Sequence, residues 1–273
     1  MRNYFITGGM PEAVNLWTKQ KSLIQVQRCH NNIRQTYEAD FSKYGKKVDP
    51  EQLRTVFRKI PGLIGNKIRY VNLDRHEKPA NLSKALKQLA SAGIITLVYH
   101  SDGNGIPLNA QRNDKKFKAI FLDTGLYSAA LGLRLNDLSD LKSLVLINSG
   151  ALAEQFVGQE LLNLAMPWDE PEIHYWHREK RGSSAEVDYL TAKGTEVIPV
   201  EVKAGKTGSL RSLHVFACSK TSKIGLRFNA DPPSVTRAHV NLPGFEEYDY
   251  TLLSLPLYLA GQADRFINEC ARL

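Results

Sequence analysis

A chain of 273 residues, 42% apolar and 23% charged, is long enough for one large domain or two to three small ones and has a globular composition. No apolar run reaches the roughly 18 residues that cross a bilayer, and the first residues, "MRNYFITGGMPEAV", lack the apolar core of a secretory leader, so no membrane partner and a cytoplasmic location are expected. The net charge of +8 is concentrated: Lys46 to Leu122 holds 15 Lys/Arg against 6 Asp/Glu, a local excess that attracts polyanions, or else simply solvates a surface. Cys29, Cys218 and Cys270 lie far apart and are odd in number, which suits buried thiols and not a disulfide framework or a metal-spaced pair.

The spacing predicts a helical leader over residues 1–45. Pro11 and Glu12 suit a helix start, apolar residues from Leu23 to Phe41 recur at helical intervals, and Gly45 is a stop. Residues 46–122 read as a compact unit. Asp49 caps a helix that begins at Pro50, "KIRYVNL" is short and alternating, and "NLSKALKQLASAGI" is amphipathic, with Leu82, Leu86 and Leu89 inward and Gly93 as terminator. "IITLVYH" and "FKAIFLD" follow as strands about the turn "SDGNGIP". Two helices and a two-stranded wing have the order of a winged helix, in which the second helix enters the DNA major groove in some members while others bind protein only. Lys84 and Lys87 lie on the polar side of that helix and are the candidate nucleic-acid contacts.

Residues 123–147 read as a connector, and 148–273 as an α/β domain containing a helix, strands, a hairpin and a final αβ stretch. In the hairpin, "AEVDYL" and "EVIPVEVK" flank "TAKG". A turn at Lys193–Gly194, or a four-residue loop from Ala192 to Thr195, makes opposed residue numbers sum to 387. Either choice puts Asp188, Glu201 and Lys203 on one face, with Asp188 and Glu201 diagonal neighbours about 7–8 Å apart. Val187, Tyr189, Ile198, Val200 and Val202 fall on the other. Two carboxylates about 4 Å apart repel by about 4 kcal/mol at an effective dielectric of about 20, and a hard dication, Mg²⁺ or Mn²⁺, relieves this. Glu154 joins as a third ligand. It lies in "SGALAEQFVGQELL", a helix capped by Ser149, on the stripe of Val157, Gly158 and Leu161, where an unpaired carboxylate is costly. In this scheme the acids hold the metal, the metal activates a water against a phosphate, and Lys203 orients that water or stabilises the developing charge. In "EIHYWHREK", His174 and His177 fall on opposite sides of a strand. Tyr175 and Trp176 suit either base stacking or core, and Arg178 either a phosphate or a salt bridge.

Glu154, Asp188, Glu201 and Lys203 together resemble the PD-(D/E)xK nuclease-like pattern. The words "GGMPEAV", "FLDTGL", "GALAEQFVGQEL", "HYWHRE", "AEVDYL" and "VIPVEVKAGK", in that order across nearly the whole chain, resemble the C-terminal part of archaeal and bacterial AAA-type ATPases that end in a PD-(D/E)xK-like domain of unknown function. The resemblance implies a winged helix followed by a restriction-endonuclease-like mixed-sheet domain, an α/β fold (α+β overall). The chain departs from that family in lacking the ATPase domain, as a fragment or a truncation. "AGKTGS" is no substitute, because Val200 stands where a phosphate-binding loop needs glycine, so ATP hydrolysis is not expected. The expectation is a Mg²⁺-dependent DNA phosphodiesterase. The alternative is a non-catalytic module that binds nucleic acid or protein within an ATPase system.

Overall fold

The structure is a computed structural model that describes residues 1–44, 48–132, 149–179, 184–205 and 208–270. Gly45 and most of the expected connector lie outside the described residues, as does the side chain of Ser149. The fold class is the expected one: a helical N-terminal region and a mixed sheet of eight strands. The chain forms two compact units, residues 1–97 with 118–159, and residues 98–117 with 160–273.

The first unit is built from α1 (Arg2–Thr7), α2 (Pro11–Gln20), α3 (Leu23–Asp40), α4 (Pro50–Lys59), α5 (Tyr70–Leu73), α6 (Pro79–Ser91), α7 (Thr124–Ala130) and most of α8 (Ser149–Leu162). Pro11 and Pro50 occupy first-turn positions, and Asp49 accepts from the Glu51 N–H at 3.0 Å as the expected cap. Leu82, Leu86 and Leu89 are buried on α6, and Gly93, at φ +70°, closes that helix. "KIRYVNL" is not extended where it was alternating: Tyr70–Leu73 is one helical turn with Leu73 in the core. Phe57 is the aromatic centre of the unit, edge-on to Phe41 at 5.5 Å and tilted against Phe121 at 5.8 Å.

A buried carboxylate joins the two ends of this unit. Asp123, 3% exposed, caps α7 by accepting from Leu126 N at 2.9 Å and accepts from Gly9 N at 2.7 Å. Gly8 has φ +63°, and a Cβ on it would lie 2.2 Å from Asp123 Oδ1, so glycine is required there. The words "GGMPEAV" and "FLDTGL" therefore meet in space. Gln155 of α8, fully buried, binds both backbone groups of Phe121: Oε1 accepts from its N–H at 2.7 Å and Nε2 donates to its C=O at 2.8 Å.

The sheet runs β2 (Arg112–Phe121), β1 (Ile95–Ser101), β3 (His174–Arg178), β4 (Ala185–Lys193), β5 (Glu196–Val202), β6 (Ile224–Asn229), β8 (Tyr248–Pro256), β7 (Ser234–Val240). The hairpin expected as a wing is present as β1 and β2 and also forms one edge of this sheet, because β1 pairs in parallel with β3 through Tyr99↔His174 and His100↔Tyr175. In the second unit β5, β6 and β8 are parallel neighbours, and α9 (Arg211–Lys220) makes the crossover from β5 to β6. The run "VIPVEV" is buried throughout, as a central strand covered on both faces demands. Pro199 has no N–H to give, and pairing with β6 begins one residue later at Val200. The final stretch resolves into α9, β6, β7, β8 and α10 (Ala263–Cys270).

Because the Asp123 carboxylate satisfies two backbone donors in a buried position, Asp123→Ala is expected to lower the unfolding free energy by about 3 kcal/mol. Urea denaturation followed by circular dichroism measures the loss.

Candidate functional site

The hairpin differs from the sequence expectation in register. Lys193 pairs with Glu196 and Tyr189 with Val200, so opposed residue numbers sum to 389 and the loop is Gly194–Thr195. Gly194 has φ +58° while Thr195 does not share the left-handed region, which fits a Gly-first two-residue hairpin loop. A shift of two keeps every side chain on its expected face, except where β4 is irregular. Between His174↔Leu190 and Trp176↔Val187, β4 uses one residue more than β3, a bulge next to Asp188. Val187 accordingly packs with Leu190, Val197, Val215 and Phe216, and does not lie on the face of Tyr189. The pairing ends at Tyr189↔Val200, so Asp188 and Glu201 are the residues next beyond the last pair.

Asp188 Oδ2 accepts from Val202 N at 2.8 Å, which ties the side chain to the end of β5. Glu201 is 4% exposed. Its Oε1 accepts a charge-assisted hydrogen bond from Lys203 Nζ. Lys203 N donates to Phe228 O at 2.8 Å, which holds the chain beyond β5 against β6. A Cβ on Gly208 would lie 2.7 Å from Lys203 Cδ, so the chain passes tightly over the lysine stem and aims its ammonium at Glu201. Asp188, Glu201 and Lys203 thus converge at the carboxyl end of β5. Tyr250 and His214 stand on the same side: the Tyr250 hydroxyl lies 2.9 Å from His214 Nδ1. Burial pushes the Tyr250 hydroxyl up, reinforced by the charges of Cys218 and Glu201, and burial pushes His214 down.

Glu154 belongs to the first unit, where its Oε2 lies 3.6 Å from Nζ of Lys118, a lysine 3% exposed. A lysine that sequence reading passed over therefore offsets the inward Glu154 charge. Among the described residues no group of three or more His, Cys, Asp or Glu is arranged for a metal ion. The donor set still suits a hard dication at Asp188 and Glu201, since Mg²⁺ is commonly held by one or two carboxylates with waters and phosphate oxygens completing its shell. Lys84 and Lys87 are exposed on α6. Tyr175 and Trp176 are buried in the sheet. Arg178 stacks over Phe245 at 5.1 Å and lines a cleft of about 690 Å³ with Lys220.

A residue that sequence reading missed is Arg227. In β6 it pairs with Glu201 on one side and with Ser254 of β8 on the other. The signal was present in "IGLRFN", a charged residue within an apolar strand.

Residues 1–137, half of the chain, match the family described as a domain of unknown function, DUF8612. The chain belongs to the DUF8612 family. Residues 149–245 match a second domain of unknown function, DUF4143, and this stretch contains Asp188, Glu201, Lys203 and Arg227. No curated protein and no solved structure matches the chain. Among the described residues no helix is long and apolar enough to cross a membrane.

His174, 3% exposed in the DUF4143 stretch, has its imidazole pushed down to about 4 by burial, then by the charges of Arg112 and His100. The unfolded chain binds that proton near pH 6.5 and the folded protein does not until about pH 4, so stability is full above 6.5 and falls as pH drops through this window. The loss amounts to about 3 kcal/mol, and denaturation of His174→Gln between pH 7 and 4 should show a correspondingly flatter acid limb.

Proposed function

We propose that this chain is a metal-dependent phosphodiesterase acting on DNA, with its centre at Asp188, Glu201 and Lys203. The observation that carries the proposal is the convergence of two carboxylates and one ammonium at the end of β5, with Lys203 donating to Glu201. A solely structural cluster does not call for a second carboxylate next to the buried Glu201, since Lys203 already offsets it.

Asp188 and Glu201 would hold Mg²⁺ or Mn²⁺. When bound, the ion supplies an activated water and neutralises charge on the phosphate. Lys203 offers an ammonium beside Glu201, able to orient the attacking water or to donate to the developing negative charge. Burial of Glu201 lowers the local dielectric and strengthens each of these interactions. The exposed Lys84 and Lys87 lie in the basic stretch and supply sequence-independent attraction for the DNA backbone. The resemblance to the nuclease-like family points the same way.

One observation favours a second reading, a non-catalytic module of an ATPase system that binds nucleic acid or protein: Glu154 is matched by Lys118, and no third acid completes a metal group among the described residues. The test separates the two. Labelled duplex DNA incubated with Mg²⁺ or Mn²⁺ is expected to be cleaved, EDTA should stop the reaction, and Glu201→Gln or Lys203→Met should slow it by about 10²-fold or more. Cleavage at equal rates by wild type and both variants would remove the reaction from this site, and no cleavage by folded wild type favours the binding module.

A further inference from the structure

The sheet ends on β7, which pairs with β8 along its whole length, from Ser234↔Ser254 to Val240↔Tyr248. Among the described residues no other backbone hydrogen bond reaches Ser234–Val240, so the outer side of this strand presents unpaired N–H and C=O groups. The strand lies at the surface: Ser234, Val235, Thr236 and Arg237 are all exposed, and Val235 is 49% exposed. The opposite edge of the sheet is guarded by charge, because the exposed half of β2 carries Arg112, Asp114, Lys115 and Lys116. β7 has no such guard. Its two cations are drawn inward to β8: Arg237 Nε donates to Asp249 Oδ2 at 3.2 Å, and His239 Nδ1 lies 2.7 Å from Asp249 Oδ1. Pro232 and Pro233 precede the strand, and none lies within it.

We infer that β7 is an interaction edge whose partner is β7 of a second copy of this chain, paired antiparallel about a two-fold axis. A charged peptide gains little here, since Asp249 already offsets Arg237 and His239. A second copy, by contrast, is self-complementary in one register. When two sheets join with like faces aligned, each residue meets one of its own parity, and the residue at the axis meets itself. An axis at Arg237 opposes two guanidinium groups, and one at Ala238 opposes Arg237 with His239. An axis at Val235 sets Pro233, which has no N–H to give, against Arg237. An axis at Thr236 avoids all three conflicts. It pairs Thr236 with itself, a favourable cross-strand match, Ser234 with Ala238, and Val235 with Arg237. The aliphatic stem of each Arg237 then covers the exposed Val235 of the other copy. The inference concerns the edge alone and does not depend on the proposed catalysis.

Sedimentation velocity of the intact chain from about 1 to 100 μM reads the association, and a concentration-dependent shift from monomer to dimer is expected. Thr236→Lys places two ammonium groups against each other at the axis and should leave only monomer over the same range. Thr236 is exposed, and circular dichroism checks that the variant folds. A second variant reads the register. Thr236→Cys, oxidised with diamide, which takes up the two thiol hydrogens, should give a disulfide-linked dimer on a non-reducing gel. Ser234→Cys, four residues from its own copy in this register, should not, nor should wild type, whose Cys29 and Cys270 are buried and Cys218 half-buried. A wild-type monomer at every concentration overturns the inference. So does a dimer that persists in folded Thr236→Lys, or one that is not linked through Thr236→Cys.

Discussion

The second unit is organised around a carboxylate that should not be inside it. Glu201 is buried in a central strand whose other buried residues are apolar, and an isolated ionised carboxyl in such a place is prohibitively costly. Lys203, two residues on, makes the placement tolerable by donating directly to it. Other local features fit that need. Gly208 has no side chain because the lysine stem passes beneath it, and Arg227 stands in register on the next strand. A fold that only had to be stable could place a hydrophobic residue at Glu201, which often stabilises relative to a buried ion pair. The retained charge is the physical reason to read this end of the sheet as a site.

The first unit solves its polar problems differently. Asp123, Gln155 and Gln159 each satisfy backbone groups: Gln159 Oε1 accepts from Thr124 N at 3.0 Å, as Gln155 and Asp123 do for their own neighbours. Lys118 and Glu154 are a charge pair of the same kind. These are interior contacts between segments distant in sequence, and they account for the glycine- and amide-bearing words of this unit without recourse to catalysis. Asp188, Glu201 and Lys203 of the second unit instead gather at the end of β5.

Much of this was legible in the sequence, and the failures have specific causes. Helices with strong local signals were found where expected: Pro11, the Asp49–Pro50 start and Gly93 all act locally. The faces of Asp188, Glu201 and Lys203 followed from strand alternation, and the error of two in register left them unharmed. The bulge in β4 moved Val187, because an extra residue in a strand has no compositional mark. The pairing of β1 with β3 is a contact between residues about 75 apart, and nothing in either strand names its partner. Lys118 as the partner of Glu154 and Arg227 beside Glu201 were missed for the same reason, since both depend on long-range pairing.

The central claim is that Asp188 and Glu201 hold a divalent cation. Calorimetric titration of the intact chain with Mn²⁺ tests it most directly. One binding event per chain is expected, lost in Asp188→Asn and in Glu201→Gln and kept in Glu154→Gln, whose carboxylate is offset by Lys118. Absence of Mn²⁺ binding by the folded wild-type protein, or unchanged binding in the Asp188 and Glu201 variants, would contradict it.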